Sequence, residues 1–207
     1  RHVFDNVGFM INVEARGPYG PALLFETCPG NEKVMDLYAS AARYPYTYSL
    51  TTVVYTFMPN FTDFTIVKDC IPGLNFSTIA DINHYHTDLD NFSNVTEKTI
   101  QHYGEQILPV TMEYLTSEEY SDKDALVAAA DDTFFTIPAV GLIKFSRIGY
   151  VIVNVIIFVC FLLLFGLEGV RGRLKAMKVF KTSLKVLLSA VIVCVLGELL
   201  GLICAKA

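Results

Sequence analysis

Apolar positions in the first half of the chain recur with two different periods, and these alternate in a way that predicts an α/β head. Phe9 to Val13 is an apolar run of strand length with Glu14 at its end. Arg16-Gly17-Pro18-Tyr19-Gly20-Pro21 is a turn-rich loop, and Ala22 to Glu26 reads as a second strand. Pro29-Gly30-Asn31 opens a helix that carries Val34, Leu37, Tyr38 and Ala41 at helical spacing and stops at Tyr44-Pro45-Tyr46. Ser49 is expected to cap a short helix through Phe57, and residues 59–64 to form a loop. Ile71 to Ile79 predicts a third strand, with Pro72 at its start, where a missing donor is tolerated. Residues 95–116 predict an amphipathic helix with Ile100, Tyr103, Ile107, Val110 and Tyr114 on one side and Pro109 as a kink site. Strands alternating with helices point to an α/β layer of parallel strands, about half of a doubly wound domain.

The pattern changes after residue 117. Residues 117–135 are polar and acidic and read as a partly helical linker. Ile148 to Leu167 is free of charge over 20 residues, enough to cross a bilayer core of about 30 Å. Val186 to Ala205 is a second apolar run, broken by Glu198. Between them lie Arg171, Arg173, Lys175, Lys178, Lys181 and Lys185, and basic segments of this kind stay on the cytoplasmic side. The expected organisation is a head over 1–117, a linker over 118–147 and a membrane domain over 148–207 with spans at 148–167 and 186–205. In that arrangement the head is extracellular or luminal.

Charge supports the division. Residues 1–147 carry 19 acidic and 9 basic side chains, whereas residues 148–207 carry 2 and 7. An acidic head excludes nucleic acid as a partner, because phosphate neutralisation needs a basic face. Cys28 and Cys70 would pair only if the head faces an oxidising compartment. Cys160, Cys194 and Cys204 read as small apolar groups in the tail. The chain starts without Met and runs at once into a core-like strand, so a piece of a longer protein is expected.

The densest chemistry is His84-Tyr85-His86-Thr87-Asp88-Leu89-Asp90, which follows the third strand. Polar groups at the end of a buried strand suit an active site built on an α/β sheet. Glu14 ends the first strand in the same way. Zinc takes imidazole nitrogen and carboxylate oxygen, but one Glu and one His do not make a zinc site. A strand-end carboxylate is more often simply solvated or paired.

Several blocks, in order and spacing, resemble metallopeptidase family 28, the co-catalytic zinc exopeptidases that are mainly aminopeptidases. They are Asn12-Val13-Glu14-Ala15-Arg16-Gly17, Gly20-Pro21-Ala22-Leu23-Leu24-Phe25-Glu26-Thr27, Pro29-Gly30-Asn31, Asn60-Phe61-Thr62-Asp63-Phe64, Pro72-Gly73-Leu74-Asn75-Phe76 and His84 to Asn91. The likeness covers about residues 5–115 and is to the membrane-anchored branch, which includes the fungal vacuolar membrane protease and its bacterial relatives. It implies the C-terminal part of a zinc-exopeptidase (phosphorylase/hydrolase-like) fold, a mixed sheet with flanking helices, followed by two transmembrane helices. It also implies two zincs per intact site and a peptide substrate.

By the same resemblance, Glu14 is a carboxylate ligand of one zinc and His86 the histidine ligand of the other. Tyr85 is the residue facing the substrate carbonyl, where a phenol can stabilise a developing oxyanion. Asp90 is implied to support the ligand loop. Asp63 either borders the cleft or caps a turn, and His84 is a neighbour rather than a ligand.

The family also needs a His-x-Asp and a Glu-Glu pair upstream of Glu14, and the first 13 residues contain neither. Glu118-Glu119 and His86-Thr87-Asp88 fit these spacings in the wrong order and read as decoys. The chain by itself is therefore expected to be inactive. The rival reading is a membrane-anchored binding module that keeps the fold without metal; a glutaminyl-cyclase-like zinc acyltransferase fits the membrane tail less well. Sequons at Asn60, Asn75, Asn91 and Asn94 would matter only in a eukaryotic lumen, with Asn75 and Asn91 expected to stay unmodified. Glu198, the one charge inside an apolar span, reads as a functional residue, a group near the membrane surface or one facing other helices, and Gly197/Gly201 as a close-packing face or a coincidence of a Gly- and Leu-rich span.

Overall fold

The computed structural model describes residues 4, 6–172 and 175–204, the side chains of Ala176, Ala190 and 194–204 excepted. It divides into two compact units, Arg1–Val151 and Ile152–Ala207.

In the first unit, β1 (Met10–Ala15), β2 (Leu23–Thr27) and β3 (Gly73–Thr78) form one sheet in the order β1-β3-β2. β1 runs parallel to β3, with Glu14 opposite Ser77 and Ala15 opposite Thr78. β2 is antiparallel to β3, so the sheet is mixed and not all-parallel as the alternation of elements predicts. Connection length explains the difference. The loop 16–22 is too short for a parallel crossover, whereas residues 16–72 give β1 and β3 ample chain for one.

Helix α1 (Glu32–Ala41) forms where its apolar spacing predicts it and buries Val34, Met35, Leu37 and Tyr38. These side chains pack with Leu24, Leu74 and Phe76 of the sheet and with Val110 of α4 (Glu97–Thr116). Tyr103, Ile107, Val110 and Tyr114 of the predicted stripe of α4 pack on the core, and the inward face differs from the prediction at Ile100 and in taking in two polar residues. Ile100 is exposed, and Thr99, Gln106 and Val110 face inward. Gln106 is satisfied there, since its Nε2 donates to Ala22 O at 2.8 Å and its Oε1 accepts from the Tyr38 hydroxyl. Helix α2 (Ser49–Thr56) packs on β2, and the short α3 (Asp63–Val67) packs on β1. Ser49 does not cap α2; its Oγ accepts from Phe134 N at 2.7 Å.

The stretch expected to be a linker differs most from expectation. Asp132–Ile137 (β4) and Gly141–Ser146 (β5) form an antiparallel hairpin. Leu126 and Phe134 join the main core. Asp131 Oδ1 accepts from Gly30 N at 2.8 Å, and Lys144 Nζ donates to Asp132 Oδ2 at 2.6 Å. Apolar groups in this segment bury against the head, and Asp131 and Asp132 are fixed by hydrogen bonds, so the polar composition does not signal an independent tether.

Helix α5 (Arg147–Val170) has 24 residues, about 36 Å at the α-helical rise, and none of its side chains is buried. Among the described residues it is the one helix long and apolar enough to cross a membrane. Helix α6 runs over Ala176–Cys204 and starts inside the basic segment, so Lys178, Lys181 and Lys185 lie on helix and not in a loop. Most of the second expected span, with Cys194, Cys204, Glu198 and the Gly197/Gly201 pair, falls outside the described side chains. Cys28 is buried, Cys70 is exposed, and both are free thiols.

Candidate active site

Glu14 sits near the carboxyl end of β1, and the segment carrying Tyr85 and His86 leaves the carboxyl end of β3. Because these neighbouring strands are parallel, both emerge from the same edge of the sheet, the place where open α/β sheets hold ligands.

The Glu14 carboxylate is held by a polar line that crosses all three strands. Asn12 Nδ2 donates to Glu14 Oε1 at 3.2 Å and to Asn75 Oδ1 at 2.9 Å. Asn75 Nδ2 donates to Glu26 Oε2 and to Thr62 Oγ1, each at 2.9 Å. Lys68 Nζ closes the line on Glu26 Oε1 at 2.6 Å. Carboxylates accept only, so Asn12 must turn its amide nitrogen to Glu14 and Asn75 must turn its own to Glu26. Every amide orientation in the line is thereby fixed.

A β-bulge makes this geometry possible. Leu24 pairs with Phe76, but the next partner of Asn75 is Glu26, so Phe25 is the extra residue. Without the bulge, strand alternation would aim Glu26 at the other face. Glu26 and Asn75 are fully buried, and the ion pair to Lys68 compensates the desolvated carboxylate. On the main chain, the Tyr103 hydroxyl of α4 donates to Glu14 O at 2.5 Å, and burial pushes that phenol's pKa up.

Tyr85 and His86 stack with ring centroids 3.8 Å apart. His86 has φ of +57°, a left-handed conformation uncommon outside glycine and often found at functional positions. Arg16 joins the two strand ends, since its guanidinium carbon lies 5.5 Å from the Tyr85 ring centroid and 5.9 Å from that of Tyr55. Thr87, Asn91 and Asn94 hold the loop. Thr87 Oγ1 donates to His84 O, Asn91 Nδ2 to Asp88 O and Asn94 Nδ2 to Leu89 O, each at 2.8 Å. Asp90, expected to support the loop, is exposed, and its carboxylate makes no hydrogen bond among the described residues. His84 Nδ1 lies 3.2 Å from Asp81 Oδ2, off the line of a hydrogen bond.

Asp63 occupies the first turn of α3 and lines a shallow cleft with Glu14, Phe61, Thr62, Thr65 and Ile66. It does not cap the helix; that end is closed by Thr62 N donating to Thr65 Oγ1 at 3.1 Å. Glu118 and Glu119 lie in an exposed 3-10 turn after α4. Among the described residues, no three His, Cys, Asp or Glu side chains come together as a metal cluster. Reading along the chain misses Asn12, Asn75 and Glu26, because each sits within or beside an apolar run. Their signal is a polar residue on each strand at positions that register places side by side.

The chain matches the family described as Peptidase family M28 over residues 2–111. It is similar to endoplasmic reticulum metallopeptidase 1 of Homo sapiens, 34% identical over 152 residues, covering 69% of this chain and 16% of that protein. The protein of the same name from Rattus norvegicus is 30% identical over 166 residues, covering 78% of this chain and 18% of that one. The vacuolar membrane protease of Candida dubliniensis is 29% identical over 102 residues, covering 48% of this chain and 11% of that protein. The chain thus spans less than a fifth of the length of these curated relatives. No solved structure matches it. Matched over more than half of its length, and with its strand-end Glu14 and Tyr85-His86 within the matched region, the chain belongs to peptidase family M28.

Proposed function

We propose that this chain is the C-terminal part of the catalytic domain of a membrane-anchored, zinc-dependent exopeptidase, an aminopeptidase acting on peptide N-termini with two zincs per site. The observation that carries this reading is the emergence of Glu14 and of the Tyr85-His86 loop from one edge of the sheet, within the stretch that matches the family.

Carboxylate oxygen and imidazole nitrogen are ligands that zinc takes, and a catalytic zinc uses three protein ligands and a water. No cluster of three forms among the described residues, so the donors of this chain alone fall short of a zinc site. On this reading the remaining ligands and the general base come from sequence beyond these 207 residues. When bound, the metal pair supplies a Lewis acid and an activated water. This chain's own residues hold and orient. Asn12 fixes the Glu14 carboxylate, His86 offers an exposed imidazole, and the Tyr85 phenol donates to the substrate carbonyl oxygen as charge builds there. Asp63 and Phe61 border the cleft beside Glu14.

In the full-length protein, zinc should co-purify, and chelation should abolish hydrolysis of leucine p-nitroanilide. Glu14→Ala and His86→Ala should each lower zinc content and remove activity while leaving the circular dichroism spectrum unchanged. Wild-type activity in His86→Ala would sink the proposal. Absence of both zinc and activity in the wild type would favour the binding module.

The proposal includes two transmembrane helices, α5 and the apolar part of α6, with the head on the extracellular or luminal side. Its support is the length of α5 and the basic residues from Arg171 to Lys185. In sealed cells or vesicles, a cysteine at Ser121 should be labelled from the head side by an impermeant thiol reagent, and one at Thr182 should not. The reverse pattern would overturn the orientation.

A further inference from the structure

Arg16 makes contacts that the chemistry above does not use. Its backbone N–H donates to Thr78 O at 2.9 Å, which carries the β1–β3 pairing one residue beyond β1. Arg16 therefore projects from the same face as Glu14, and two residues of strand set their Cα atoms about 7 Å apart. The guanidinium lies over the rings of Tyr55 and Tyr85, inside the range in which a ring face attracts a cation.

Neither ring contact consumes an N–H. Among the described residues, the guanidinium makes no hydrogen bond and no ion pair. The group is half-buried, and unpaired charged donors are costly to desolvate. Neighbouring carboxylates are engaged elsewhere, Glu14 with Asn12 and Glu26 with Lys68 and Asn75. Two rings thus hold a planar fork of donors in place beside the candidate centre, with no hydrogen-bond acceptor on its edge among the described residues.

We propose that Arg16 is a binding site for a carboxylate of the substrate, taken as a two-pronged ion pair. This deepens the peptidase reading and rests on it for the identity of the substrate. An extended peptide advances about 3.3–3.6 Å per residue, so an arginine two strand positions along from Glu14 is placed to meet a group one to two residues from the scissile bond. The substrate class is therefore a short peptide with a free C-terminal carboxylate, or a longer one with Asp or Glu at that place. Arginine suits the role because its fork matches a carboxylate, whereas lysine offers a point charge.

The test compares leucyl-alanine, its C-terminal amide and Leu-Asp amide in full-length wild type, Arg16→Gln and Arg16→Lys. Wild type should show kcat/KM about 10- to 100-fold higher for a carboxylate-bearing dipeptide than for Leu-Ala amide, the range expected for charged hydrogen bonds. Preference for leucyl-alanine would identify the C-terminal carboxylate as the group bound, and preference for Leu-Asp amide the side-chain carboxylate. Arg16→Gln should erase the preference, lowering kcat/KM for the carboxylate-bearing peptides far more than for the amide, with Arg16→Lys in between. An arginine that merely ties the loops together would slow all three peptides equally, and that result would overturn the proposal.

Binding supplies the readout independent of turnover. The reduced-bond analogue of leucyl-alanine, with CH2–NH in place of the scissile amide, should bind wild type more tightly than its amide in calorimetry, and Arg16→Lys should shrink the gap. Equal binding of the two analogues by wild type would also overturn the proposal. A carboxylate preference in binding with no hydrolysis of any peptide would uphold the Arg16 site and refute the peptidase reading.

Discussion

The β1–β3–β2 sheet alternates two kinds of position along the same strands. Leu24, Leu74 and Phe76 belong to the apolar core with α1 and α4, whereas Asn12, Asn75 and Glu26 form a hydrogen-bonded line that ends at Glu14. Apolar burial is non-directional and worth about 1.5–3 kcal/mol for a large side chain. The polar line adds little net stability, because desolvating Glu26 and Lys68 offsets their attraction, but it fixes the direction of every group in it. One set of positions keeps the sheet folded, and the other aims a carboxylate.

Substitutions on the two sets should separate these roles. The largest loss of stability is expected from Phe76→Ala, about 3–5 kcal/mol, seen as a lowered unfolding midpoint, with zinc binding lost only as the fold is lost. Asn75→Ala strands Asn12 and Glu26 and should cost about 1–3 kcal/mol. Asn12→Ala should cost the least stability, since that residue is half-buried, yet weaken zinc about 10- to 100-fold in a chelator competition on the full-length protein. If Asn12→Ala leaves zinc affinity unchanged, the polar line is only a way to satisfy buried groups.

The same contrast explains what could be read from the chain. Strong period-3.6 spacing marks α1 and the start and stop of α4, and apolar runs mark the three strands. Strand direction is not written in alternation, so the antiparallel β2 emerges only from the length of the loop 16–22. The β4–β5 hairpin is hidden because acids crowd its approach, although Phe134 is one of the core residues. Glu14 and His86 stand out through the order of the motifs around them. Their supports do not, because Asn12, Asn75 and Glu26 come together through pairing register and a bulge at Phe25. Arg16 reads as part of a turn until its contacts with two distant rings are known.

The central claim is that Glu14 and His86 are ligands of one metal centre at this sheet edge. The most direct test is anomalous diffraction at the zinc edge from crystals of the full-length protein. The account predicts two zinc peaks about 3.5–4 Å apart, one about 2.0–2.2 Å from a Glu14 carboxylate oxygen and the other at the like distance from a His86 ring nitrogen. Peaks elsewhere, with Glu14 and His86 turned to opposite faces of the sheet, would contradict it.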